Sequence, residues 1–171
     1  MNSMSKGYYE SCGKEKRREE ETCQALVKCG CPSSVQVPAL AEAGSTVLTL
    51  STLTLDTSCF CDPNIKLDFT SNIVAGVAFA GTINFQIYKQ CRGQLTPVPV
   101  GPAWQSGALA ISSTTFSFFV CDSDSCLDEC CTYTVVATVS SPAALALGVS
   151  INNATLAATV TCKNPCPRCR K

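Results

Sequence analysis

Histidine is absent from all 171 residues, which removes Ser-His-Asp and Cys-His catalysis and every metal site that needs an imidazole. Aromatic residues supply 7% and charged residues 15%, which weakens the case for an aromatic-lined ligand groove. Thirteen Lys and Arg balance thirteen Asp and Glu, so neither nucleic acid nor an anionic membrane is an expected partner. The lack of net charge favours self-association instead. No run is long and apolar enough to cross a bilayer, and Met1 to Glu21 lacks the apolar stretch of a secretory signal. The chain is therefore expected to be made in a reducing cytoplasm. With no candidate catalytic group and no recognisable cofactor motif, it is expected to be neither an enzyme nor a cofactor carrier.

What the sequence does contain is cysteine, fourteen of them, in a chain that is 46% hydrophobic. A domain of this size buries roughly 70% of its unfolded surface and has no need of cross-links merely to fold. In a chain made without a signal, so much cysteine commonly serves metal binding, redox chemistry, or late oxidation after the cell has lysed.

Charge divides the chain. Eleven charged residues fall in residues 1–28, four follow Cys162, and eleven are spread over the long stretch between. This defines a charged N-terminal arm (1–28), a β-rich body (29–162) and a short basic, cysteine-bearing tail (163–171). Within the arm, pairs such as Arg17 with Glu21 suit one or two helical turns.

The body alternates with period two. Ile65, Leu67 and Phe69 face one way and Lys66, Asp68 and Thr70 the other, and Ile83, Phe85 and Ile87 alternate likewise with Thr82 to Tyr88. In Thr46 to Leu55 the apolar phase slips near Ser51 and Thr52, and a second slip falls at Asn152-Asn153; both predict β-bulges. Further strands are expected at Ser34 to Leu40, Leu95 to Val100, Thr114 to Cys121, Cys131 to Ser140 and Leu156 to Cys162. Turn signals separate them, among them Asp62-Pro63-Asn64, Gly76, Gly81, Arg92-Gly93, Pro97, Pro99, Gly101-Pro102, Ser141-Pro142 and Gly148. About eight short strands predict an all-β, two-sheet antiparallel sandwich of jelly-roll type carrying an extended N-terminal arm, with an immunoglobulin-like sandwich as the alternative.

The cysteines are clustered. Cys12 and Cys23 lie in the arm, followed by Cys29-x-Cys31, Cys59-x-Cys61, Cys91, Cys121, Cys126, vicinal Cys130-Cys131, and Cys162, Cys166 and Cys169. On a strand, Cys130 and Cys131 point to opposite faces and call for different partners. The segment Cys162 to Cys169 contains Cys166-x-x-Cys169, and Cys29-x-Cys31 could complete a four-thiolate zinc site, but no second Cys-x-x-Cys accompanies it. Cys166-Pro-Arg-Cys169 ends the chain after a strand, whereas a thioredoxin-type motif starts a helix. The carboxylates Asp122, Asp124, Asp128 and Glu129 lack the glycine and terminal glutamate of a calcium loop and read as a solvated loop. Trp104 reads as core or strand-edge packing.

Several segments carry a resemblance: Cys29-Gly-Cys31, Leu55 to Pro63, Phe69 to Val74, Pro97 to Pro102, Thr115 to Asp122 and Cys130 to Val135. Together they resemble a family of cysteine-rich proteins of unknown function from clostridial spore formers. The layout of a cysteine-bearing arm before a β-sandwich is similar to that of endospore appendage subunits. That likeness implies a structural protein that polymerises with itself, in a helical or linear array, into a disulfide-cross-linked, pilus-like fibre. It also implies synthesis in the mother cell, a final place on the spore surface, and an anchoring or tip protein of unknown identity. The Cys-Cys arrangement of some appendage connectors is missing here. By the same likeness Cys12 and Cys23 are the connector thiols, with acceptors among Cys29, Cys31, Cys126, Cys130, Cys131, Cys166 and Cys169, leaving Cys59, Cys61, Cys91, Cys121 and Cys162 for other disulfides. Exposed sheet edges are expected to help the subunits pair. The alternative is a monomeric zinc-binding or surface-binding module.

Overall fold

Alternating strands with one apolar face can only hide that face against a second sheet, and this is the arrangement found. A computed structural model describes residues 25–40, 42–58, 60, 62–107, 109–123, 130–143 and 148–162. Nine strands follow one another: β1 (Leu26–Cys29), β2 (Ser33–Gln36), β3 (Gly44–Asp56), β4 (Pro63–Ala75), β5 (Thr82–Cys91), β6 (Val98–Ser106), β7 (Ser112–Asp122), β8 (Cys130–Ser141) and β9 (Val149–Cys162). No helix occurs among the described residues. The helical turn expected near Arg17 lies outside them.

The five-stranded sheet runs β1-β9-β4-β7, with β2 also on β9, and the four-stranded sheet runs β3-β8-β5-β6. Every pairing is antiparallel. Counting β1 and β2 as one interrupted strand, first pairs with last, second with second-last, and so inward to the β5–β6 hairpin. That is a long hairpin rolled into two sheets, the jelly roll expected from the strand count.

Between the sheets lies one core. β4 contributes Ile65, Leu67, Phe69 and Ile73; β5 Ile83, Phe85 and Ile87; β8 Tyr133, Val135, Ala137 and Val139; β9 Val149, Ile151, Leu156 and Val160, all buried. Phe69 sits at its centre, 5.8 Å from the Phe85 ring and 5.3 Å from Phe118. Trp104, on edge strand β6, stacks on Phe118 at 5.5 Å with one face toward solvent.

Both expected bulges are present. The β3–β8 register shifts between Thr49 and Ser51, and the Ser33 hydroxyl on β2 donates to the displaced Leu50 carbonyl. On β9 the shift falls at Asn153, whose φ of 54° is one that asparagine tolerates. Each slip turns a serine inward, Ser51 on β3 and Ser71 on β4 opposite the second bulge, and neither hydroxyl has a hydrogen-bond partner. An unmade buried bond of this kind costs about 1–3 kcal/mol.

Two expectations need correction. β6 starts later and runs further than Leu95 to Val100, so that Pro99, Gly101 and Pro102 are strand residues and not a turn. An edge strand tolerates proline because its outer N–H groups need no partner. Gly101 sits at a bulge with φ 66°, where a Cβ would stand 2.8 Å from Val120. The second correction is β1, which has no clear alternation and so no signal; it takes Leu26 to Lys28 into the sheet through pairing with Val160 to Ala158.

Because Phe69 touches both sheets, Phe69→Ala is expected to lower stability by about 3–5 kcal/mol in urea unfolding. A loss below about 1 kcal/mol, the range of a surface change, would show that the two sheets do not share this core.

Candidate functional site

Strand direction divides the sandwich into two poles. At one, β3, β5, β7 and β9 end and β1, β4, β6 and β8 begin; at the other the reverse holds. The cysteines follow this division. Cys91, Cys121, Cys130, Cys131 and Cys162 all lie at or next to a strand end at the first pole. Cys29 lies on β1 opposite Ala157, and Cys31 just beyond it, near the waist of β9.

The two-residue period then sorts these thiols into inside and outside. Cys91 continues the inward series Ile83, Phe85, Ile87 and Lys89, while Cys131 stands in phase with Tyr133 and Val135. They are register partners with Cα atoms 4.0 Å apart, joined in a disulfide. Cys130, one residue earlier, faces outward with a free thiol. The opposed directions expected of the vicinal pair are therefore found, but Cys131 is no acceptor for another copy, since it is already bonded to Cys91. Cys29, Cys31 and Cys121 are free and exposed as well. Cys162 is disulfide-bonded, which takes it out of any thiolate metal set. Among the described residues no group of three His, Cys, Asp or Glu side chains could hold a metal ion. Cys12, Cys23, Cys59, Cys61, Cys126, Cys166 and Cys169 lie outside the described residues.

Beside Cys130 the pole opens into a hollow of about 510 Å³, lined by Asp56, Gln90, Cys91, Arg92, Cys130 and Thr132. Asp56 is the register partner of Cys130. Bonds from the Ser58 amide and hydroxyl hold the Asp56 carboxyl below its usual range, with the Lys28 charge adding to them against a small opposing effect of burial. Lys28 in turn donates to the Thr54 carbonyl at 2.8 Å, tying β1 to β3 across the open side of the sandwich. Cys121 stands on the outer face of β7 next to Lys66, its register partner. The Lys66 ammonium lies 5.1 Å from the Phe119 ring centre.

Beneath the pole lies a charged group that the sequence reading missed. Lys89 Nζ contacts both oxygens of Asp122, at 3.2 and 3.0 Å, and the Tyr133 hydroxyl donates to Asp122 Oδ2 at 2.7 Å. The Lys89 and Asp122 side chains are 7% and 4% exposed and Tyr133 is fully buried. Asp122, expected in a solvated loop, thus belongs to the core, whereas Asp124, Asp128 and Glu129 lie outside the described residues. Lys89 and Tyr133 come from one sheet and Asp122 from the other, so the group clamps the sandwich one register step inside the Cys91–Cys131 bond. Extending the inward series past Ile87 by one position would have revealed it.

Compared with known proteins, the chain matches the family model described as Domain of unknown function (DUF4489) over residues 23–161. It belongs to that family. Comparison with curated proteins finds no match. Among solved structures, it is similar to the infectious bursal disease virus VP2 subviral particle protein (TM-score 0.59) and to the protein of the Gx strain of that virus (TM-score 0.54). Both are 14% identical, and each alignment covers 84% of this chain and 34% of the viral one. The chain thus spans about a third of the length of these neighbours, and the likeness establishes the jelly-roll fold alone.

Two measurements test the pole. Lys89→Met leaves the Asp122 carboxylate buried without its ammonium and is expected to cost about 3–5 kcal/mol, while Lys89→Met with Asp122→Leu recovers much of that loss; equal losses would mean the two charges do not act as a pair. In the folded monomer with the Cys91–Cys131 bond formed, a maleimide is expected to label Cys29, Cys31, Cys121 and Cys130, with Cys91 and Cys131 reacting only after reduction and unfolding. Mapping by peptide mass spectrometry decides it.

Proposed function

We propose that this chain is a structural subunit that joins with copies of itself into a disulfide-cross-linked fibre or appendage. One observation carries the reading. The core is already sealed by Cys91–Cys131, yet four further thiols stand free on the outside, two of them ending strands at the pole where that bond lies. The connections and termini that bear the other cysteines leave from strand ends at the same pole. Thiols that stabilise a monomer sit in pairs inside it; unpaired thiols on a surface are placed to meet another surface. Oxidation there makes dissociation require reduction of a covalent bond, so resistance becomes kinetic.

On this reading the arm thiols Cys12 and Cys23 react with the cysteine pole of a neighbour. An arm already held by that neighbour raises the local thiol concentration there. The bacterial endospore is the proposed setting, supported by the resemblance of the quoted segments. Synthesis in the mother cell, with oxidation after lysis, fits a cysteine-rich chain in that setting. No reaction is assigned to the protein.

A non-reducing denaturing gel of the full chain after air oxidation is expected to show a high-mass ladder that collapses with reductant, and Cys12→Ser with Cys23→Ser to shorten it while the body stays folded. A single 18.0 kDa species with stoichiometric zinc would replace this reading by the metal-binding module.

A further inference from the structure

The Lys89–Asp122–Tyr133 group holds an amine and a carboxyl in contact where little water reaches. Lys89 Nζ stands 3.2 Å from Asp122 Oδ1 and 3.0 Å from Oδ2. An atom that touches both oxygens at those distances lies within about 3.5 Å of the carbon between them, a separation at which reacting atoms are poised for attack. The two side chains are 7% and 4% exposed. The Cys91–Cys131 disulfide, itself buried, covers them one register step toward the pole. Tyr133, fully buried, donates its hydroxyl to Oδ2 at 2.7 Å and so fixes the orientation of the carboxyl.

A surface pair shows what burial changes. Lys66 Nζ is 2.6 Å from Asp68 Oδ1, but those side chains are 50% and 44% exposed. Water there stabilises both ions and, by mass action, opposes any reaction that would release more of it. Inside the sandwich both effects weaken. Two ions taken out of water carry a large desolvation penalty, and a neutral amide built from the same atoms carries a far smaller one. Fixed placement of the partners adds an effective concentration on the order of 10⁵ to 10⁸ M.

We propose that Lys89 and Asp122 condense into an intramolecular amide, a self-made cross-link between β5 and β7 and therefore between the two sheets. The ion pair is the state before reaction. The ammonium passes one proton to Oδ1, and the freed nitrogen lone pair attacks Cγ. The carbonyl electrons move onto Oδ2, where the Tyr133 hydroxyl stabilises the developing negative charge. Oδ1 then takes a second proton from the nitrogen and leaves as water, and the C=O bond re-forms on Oδ2, still held by Tyr133. One ammonium and one carboxylate become one amide and one water, with no oxidant or co-reactant. The reaction modifies the chain itself and implies no outside substrate, whether or not copies join. Unlike Cys91–Cys131, the amide withstands reductant, so it seals the sandwich under conditions in which the disulfide opens.

Intact-mass spectrometry of the full chain, reduced and denatured, reads the bond directly. The wild type is expected to be lighter than its sequence by one water. Trypsin should no longer cut after Lys89, and digestion should yield a branched peptide joining Lys89 to the segment that holds Asp122. Lys89→Arg keeps the cation without the reactive amine and is expected at its full sequence mass. Tyr133→Phe keeps the ring and removes the donor, so its amide is expected to form about 100-fold or more slowly, leaving freshly purified protein largely unreacted. Circular dichroism confirms that each variant is folded. A folded wild-type chain that keeps its full mass after prolonged incubation, or one that lacks a water without the Lys89–Asp122 branch, overturns the proposal. Conversion as fast in Tyr133→Phe as in the wild type overturns the mechanism drawn for it.

Discussion

Both sheets share one core, so inward positions on the long strands are apolar or polar with a buried partner, save Ser51 and Ser71 at the two bulges. That constraint, imposed with a period of two residues, sorts Cys91, Cys121, Cys130 and Cys131. Cys91 and Cys131 are in phase with the core and meet across a register pair, where a disulfide forms. Cys121 is one residue out of phase with Val120 and Asp122, and Cys130 one out of phase with Cys131, so both are presented to solvent. A shift of one residue would exchange these roles. The sheet phase is thus what separates the bonded cysteines of the core from those left free on the surface.

The same constraint accounts for the buried Lys89–Asp122–Tyr133 group. Near the cysteine pole the inward series of β5, β7 and β8 includes Lys89, Asp122 and Tyr133, and these satisfy one another across the gap between the sheets. Such a pair adds little net stability compared with apolar residues of the same volume, but removing one member is costly. Its geometric consequence is plainer. The ends of three strands, each adjoining an exposed or bonded cysteine, are held in fixed relation, and the thiols they carry inherit that placement.

Much of this was legible because period two is a strong signal in long strands. The Ile65-Leu67-Phe69 and Ile83-Phe85-Ile87 series, the slip near Ser51 and the slip at Asn152-Asn153 each mark a feature that the structure contains. The sandwich and its jelly-roll order follow from strand number and short spacing. What escaped reading had no periodic signature. β1 is four residues with mostly exposed side chains, held by backbone pairing to β9 and by the Lys28 bond to Thr54. The prolines of β6 read as turns because only its place at a sheet edge, a tertiary fact, makes them tolerable in a strand. Lys89 was passed over since a lysine ends an apolar series in sequence, whereas its partner Asp122 lies 33 residues away on the other sheet. Pairing among cysteines was beyond reach for a related reason: it depends on register, and register between β5 and β8 is set by the whole ladder.

A chain able to fold on its hydrophobic core has no thermodynamic need of fourteen cysteines. One disulfide adds about 2–4 kcal/mol to a fold, and the sandwich already contains that contribution from Cys91–Cys131. Added bonds within a monomer would bring diminishing returns, because each further loop closed is shorter in the already constrained chain. Bonds between monomers act on a different quantity, the rate of separation, and their effect multiplies along an assembly because every joint must break.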